Sequence, residues 1–106
     1  MTFLYDVSEL DRARTAAKPY LEFLRVPRMS AGLYLLAVGG QDKQKPHGEA
    51  EIYYVLRGRA SVTVGEEEFD VTAGKIVFVP PRVEHRFFNI QEELELLVVF
   101  APAESG

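Results

Sequence analysis

The chain contains no cysteine, which excludes a disulfide framework, a thiolate nucleophile and a thiolate zinc site together. Histidine is almost as scarce. With 2 in 106 residues, any imidazole chemistry has to run through His47 and His85. Basic residues are outnumbered, 12 against 16 acidic, for a net charge of -4. That balance argues against nucleic acid and against an anionic membrane as partners, since both reward basic patches. No apolar run approaches the length of a membrane span. The segment Met1-Thr2-Phe3-Leu4-Tyr5-Asp6 lacks the basic start and apolar core of a signal peptide. The expectation is a soluble, cytoplasmic protein.

What is present is a globular composition, 47% apolar and 26% charged, which does not suit a disordered chain. At this length there is room for one core. So small a domain buries a modest share of its surface, and pairing into a homodimer is a natural expectation. Residues 1–19 read as an N-terminal arm, 20–101 as the folded domain and 102–106 as a frayed tail.

In the arm, Ser8-Glu9-Leu10-Asp11 resembles a capping box with Ser8 as N-cap, opening a short helix that runs toward Ala17 and is limited by Pro19. From Tyr20 the texture changes to strands. Tyr20 to Arg25 is stopped by Pro27, and Leu33 to Val38 is broken by Gly39-Gly40. Ile52 to Leu56 is rich in β-branched and aromatic residues and is followed by a predicted turn at Arg57-Gly58. Ala60, Val62 and Val64 alternate with polar residues, then Gly65-Glu66 signals a hairpin to Glu67–Val71. Lys75 to Val79 ends at Pro80-Pro81. His85 to Ile90 is followed by an acidic turn predicted at Gln91-Glu92-Glu93, and Leu94 to Phe100 closes the chain. Many short strands with turn signals and no helix between them predict an all-β sandwich or barrel.

One histidine sits in Lys45-Pro46-His47-Gly48-Glu49-Ala50-Glu51, at the mouth of the third of these strands. Imidazole and carboxylate together are metal-ligand material. A helix would set His47 and Glu51 on one face, but the β-branched and aromatic run behind them favours a strand. Fully extended, the two residues would stand roughly 13 Å apart at about 3.3 Å per residue, too far for one ion with bonds near 2 Å. A shared site therefore requires a bend between them, and Gly48 is the residue that permits it.

Gly39, Lys45, His47, Glu51 and Gly58 fall at the spacings of the first motif of the cupin family, with lysine in place of its first histidine. Gly74, Pro80, His85 and Asn89 match the second motif, with Arg82 in place of its middle glycine. The chain thus resembles a small cupin over Gly39 to Asn89. The resemblance implies a double-stranded β-helix, the jelly-roll barrel of antiparallel strands, with a metal held inside by three histidines and a glutamate. Carried over by position, His47, Glu51 and His85 fill three of those places and Lys45 the fourth.

Two imidazoles and a carboxylate still make a sufficient set, with open positions for a further ligand. Iron, manganese, nickel, cobalt and zinc all accept these donors, so the implied cofactor is a divalent transition metal of unspecified identity. Lys45 points out of the barrel, lines the pocket to attract an anion, or is desolvated to a neutral amine. Gln41, Gln44 and Glu49 are alternative donors to complete the shell, although Glu49 reads more simply as a solvated loop carboxylate. Tyr53 shares strand parity with Glu51, and Phe87 with His85. Both are pocket candidates whose simpler role is packing. Arg82 and Arg86 read as solvated.

Three functions follow: a metal-dependent enzyme of dioxygenase, isomerase or lyase type on a small polar molecule, a non-catalytic small-molecule binder or sensor, or a metal-free structural dimer. No Ser-His-Asp arrangement and no phosphate-cradling glycine loop can be placed.

Overall fold

The computed structural model describes residues 3–14 and 18–105. A short helix, α1 (Val7–Ala13), precedes six strands. Asp6 caps it, its carboxylate accepting from the backbone N–H groups of Ser8 and Glu9. The expected Ser8 cap is therefore displaced by two residues. A carboxylate at that position satisfies the free amides and also meets the positive end of the helix dipole. The helix ends at Ala13, and the remainder of its expected run, 15–17, lies outside the described residues.

The strands are β1 (Tyr20–Val26), β2 (Met29–Leu36), β3 (Ala50–Val64), β4 (Glu67–Thr72), β5 (Ile76–Val79) and β6 (His85–Ala101). All pair antiparallel in the order β1-β2-β6-β3-β4, with β5 on the free side of the first half of β3. This is the jelly-roll barrel, closed around one core that includes Tyr53, Val55, Val62, Phe87, Leu94, Leu96 and Val98. Period-2 alternation sorts the side chains. Glu51, Tyr53 and Val55 are buried while Ile52 and Tyr54 face out, and His85 and Phe87 are buried while Arg86 faces out.

Two predicted turns are absent. Arg57-Gly58 and Gln91-Glu92-Glu93 lie inside β3 and β6, facing each other where the pairing of the two strands shifts register. Gly58 has φ 102, and a Cβ there would collide with the Glu93 carbonyl and the Leu94 Cα. Here glycine lets two long strands bend together rather than reverse. The charges that imitate turn residues are cross-strand partners, Arg57 with Glu93 at 2.8 Å and with Glu95 at 3.3 Å.

The described part of the tail, residues 102–105, is not frayed. Glu104 N–H donates to Ser30 Oγ at 2.9 Å and its carbonyl accepts from Arg25 at 2.7 Å. Ser105 Oγ donates to Glu49 at 2.9 Å. These bonds hold the last described residues against the barrel mouth.

Candidate metal centre

Three elements deliver the three candidate ligands. Glu51 is the second residue of β3, in register between Val79 of β5 and Phe100 of β6, which fixes it inward. His85 opens β6 opposite Val64. His47 precedes β3, and the backbone bends at Gly48 and Glu49 before the strand begins at Ala50. The bend that a shared site requires is thus in place. It is pinned from the other motif, since Arg82 N–H donates to the His47 carbonyl at 2.6 Å. Arg82 has φ 63, a left-handed conformation that explains why the resembling motif carries glycine at this position.

His47, Glu51 and His85 each offer a ligand atom within 4.8 Å of the others. Three donors with bonds near 2 Å to one ion stand about 3–3.5 Å apart, so capture draws the cluster inward by up to about 2 Å. Glu51 is 1% exposed, and neither of its carboxylate oxygens has a hydrogen-bond donor. His85 Nδ1 lies 3.0 Å from the Val83 carbonyl, which can only accept, so Nδ1 carries a proton and in the neutral ring Nε2 holds the lone pair. That Nε2 faces Glu51 Oε1 at 3.2 Å without hydrogen-bond alignment. His47 Nε2 is likewise buried and without a partner. Acceptors facing one another in a dry site need a cation between them, either a proton or a metal ion. The donor set fits a divalent metal.

Burial opposes charge on His85, but the Glu51 carboxylate and the Val83 carbonyl outweigh it and raise its pKa above the ordinary imidazole value. Glu104 is raised too, by burial first, with the charge of His47 acting in the opposite direction.

The remaining candidates have other occupations. Gln44 accepts from the Tyr53 hydroxyl at 2.8 Å and donates to Asp42 at 3.0 Å, so both ends of its amide are in use. Tyr53 is fully buried with its phenol pushed well above its usual pKa, by burial and then by the Glu51 charge, which keeps it a neutral donor. Phe87 packs edge-on against Tyr53 at 5.0 Å. Glu49 is buried and held by Ser105, so it is neither a solvated loop carboxylate nor part of the three-ligand cluster. It is hidden because the tail folds over it. Lys45 is exposed, on the rim of a groove that also includes Glu84, His85 and Arg86. Arg82 and Arg86 are exposed, the latter over the Phe88 ring at 5.8 Å.

Sequence reasoning missed Asp42, Glu104 and Tyr20. Asp42 is buried and accepts from Tyr34 (2.9 Å), Gln44 (3.0 Å) and the Phe87 amide (3.0 Å), tying the loop before His47 to β2 and β6. Glu104 Oε2 stands 3.5 Å from His47 Nδ1. Nothing local marks either residue, because their partners lie far along the chain. His47 and Glu104 also line a cavity of about 390 Å³ with Tyr20, Tyr34, Val98 and Phe100. The Tyr20 ring fits there because Gly32 beneath it has no side chain, and its hydroxyl is buried without a partner.

Barrel, motif spacing and site define a small cupin, and comparison with known proteins agrees. Residues 32–100 match the Cupin domain family, and the chain belongs to it. It is 48% identical to an uncharacterised protein of Streptomyces coelicolor over 103 residues, 97% of each chain. A crystal structure of a Thermus thermophilus protein superposes with TM-score 0.78 at 30% identity, covering 96% of this chain and 99% of that one. An RmlC-like cupin of Shewanella frigidimarina gives 0.73 at 25% identity, covering 79% and 75%. Among the described residues no helix is long and apolar enough to cross a membrane.

Proposed function

We propose that this cupin holds a divalent transition metal through His47, Glu51 and His85 and presents it to a small molecule in the adjoining cavity. One observation carries the reading. Both oxygens of the buried Glu51 and the Nε2 atoms of both histidines lack hydrogen-bond partners, in three residues whose ligand atoms gather within 4.8 Å. Such a cluster is costly unless a cation satisfies it. A metal bound there would supply Lewis acidity and open positions for an incoming ligand. The chain's own groups do the rest. Val83 holds the His85 tautomer, Asp42 and Gln44 hold Tyr53, and aromatic and aliphatic side chains of the cavity wall lie to one side of His47.

Elemental analysis of tag-free protein tests the reading. Wild type should carry near-stoichiometric metal, and His47→Ala and His85→Ala should lose it. Equal trace metal in all three removes the proposal in favour of a metal-free barrel. The cross-strand pairs Ile52–Phe78 and Tyr54–Ile76 leave four large apolar side chains exposed on the outer face, which supports the pairing of two copies. Light scattering giving a monomer mass would rule that pairing out.

A further inference from the structure

His85 and His47 are held by different means. In His85 a backbone carbonyl occupies Nδ1 and leaves Nε2 bare toward Glu51. In His47 the nitrogen without a partner is again Nε2, while Nδ1 faces a carboxylate, Glu104 Oε2, at 3.5 Å. That carboxylate belongs to the tail, which is anchored at Arg25, Ser30 and Glu49 and by an Ala103 N–H bond to the Pro27 carbonyl at 3.4 Å. Glu104 is outside the three-residue ligand cluster, so it is placed to act on the far nitrogen of a ligand rather than on the ion.

We infer that Glu104 is the positioning residue of the metal centre, its carboxylate accepting the Nδ1 proton of His47 so that Nε2 presents its lone pair inward. The inference rests on the metal-binding reading proposed above. A carboxylate behind a ligating imidazole selects the tautomer, fixes the ring plane and raises the basicity of the coordinating nitrogen. A metal bound at Nε2 would make the Nδ1 N–H a stronger donor toward Glu104. The anchored tail brings the carboxylate in from a direction that β3 and β6 do not supply. It sits beside the ligand nearest in sequence to Lys45, the position at which the resembling motif has a further imidazole. The Phe100 ring, edge-on to His47 at 5.0 Å, blocks rotation on the other side.

The test uses full-length Glu104→Ala and Glu104→Gln beside wild type, with amide NMR fingerprints to show that each is folded. In metal-free protein, nitrogen-15 imidazole spectra at alkaline pH should show His47 protonated at Nδ1 in wild type and shifted toward Nε2–H in Glu104→Ala. Glu104→Gln, whose carbonyl still accepts, should retain the wild-type tautomer. In chelator competition with zinc, Glu104→Ala should bind about 10- to 100-fold more weakly, with most of that loss recovered in Glu104→Gln. An unchanged tautomer or an unchanged zinc affinity in folded Glu104→Ala overturns the inference. Wild type that takes up no zinc overturns the metal reading instead, and the tautomer comparison still decides whether Glu104 holds His47.

Discussion

Replacing Glu51 by glutamine should make the metal-free protein more stable and the metal-loaded protein less so. The Glu51 carboxylate is 1% exposed with both oxygens unpaired, and it faces a bare imidazole nitrogen at 3.2 Å. Leaving a buried polar group unsatisfied costs about 1–3 kcal/mol. The glutamine amide keeps the shape, removes the charge and can donate to His85 Nε2, whose other nitrogen is committed to Val83. Relief of about 1–3 kcal/mol raises the melting temperature by at least about 4 °C for a domain of this size. With zinc at about 1,000 times its dissociation constant, wild type gains about 4.1 kcal/mol, more than the whole of that relief. The variant, lacking an anionic ligand, gains little, so the order of stability reverses. Calorimetric melts of both proteins, with chelator and with zinc, at about pH 9 where histidine is ordinarily neutral, read this directly. A variant that melts below wild type in both conditions would show that the carboxylate serves the fold rather than an ion, and the reasoning would fail.

Three further outcomes follow from the same geometry. In metal-free protein the raised His85 pKa makes its protonation stabilising at pH below the ordinary histidine range, a contribution lost as pH rises through the folded-state value. Denaturant midpoints across that range, flattened in His85→Gln, check it. Zinc needs the neutral ring, so its affinity should fall as pH drops below the raised value, as chelator competition at several pH values would show. Gly58→Ala should lose about 1–3 kcal/mol from positive φ alone, and more from the collision with the Glu93 carbonyl. Wild-type stability in a urea titration would mean that the two strands do not need to bend there.

The local pattern was enough for the strands whose environment is local. The strand over 60–64, the Gly65-Glu66 hairpin and the Pro80-Pro81 stop stand as read, because turn chemistry is a property of adjacent residues, but the expected alternation does not, since Ser61 is buried along with Ala60 and Val62. The motif spacing likewise reached His47, Glu51 and His85, which the barrel brings together. Where charge and glycine marked turns at Arg57-Gly58 and Gln91-Glu92-Glu93, the reading failed. Each segment's partner is the other, and a bend shared between two strands looks locally like two reversals.

Composition and period by themselves determined an all-β chain, and the resemblance of its two motifs to those of cupins implied three residues with the chemistry of a metal site. Tertiary structure alone decided that Gln44 is spent on Tyr53 and Asp42, that Glu49 is buried under Ser105, and that Lys45 stays at the rim. It also turned a tail that reads as frayed into the wall bearing Glu104. The physical reason is contact distance in sequence. A ligand's identity is written at its own position, but the hydrogen bonds that orient it join residues tens of positions apart, such as Glu104 with Ser30 and Phe87 with Asp42.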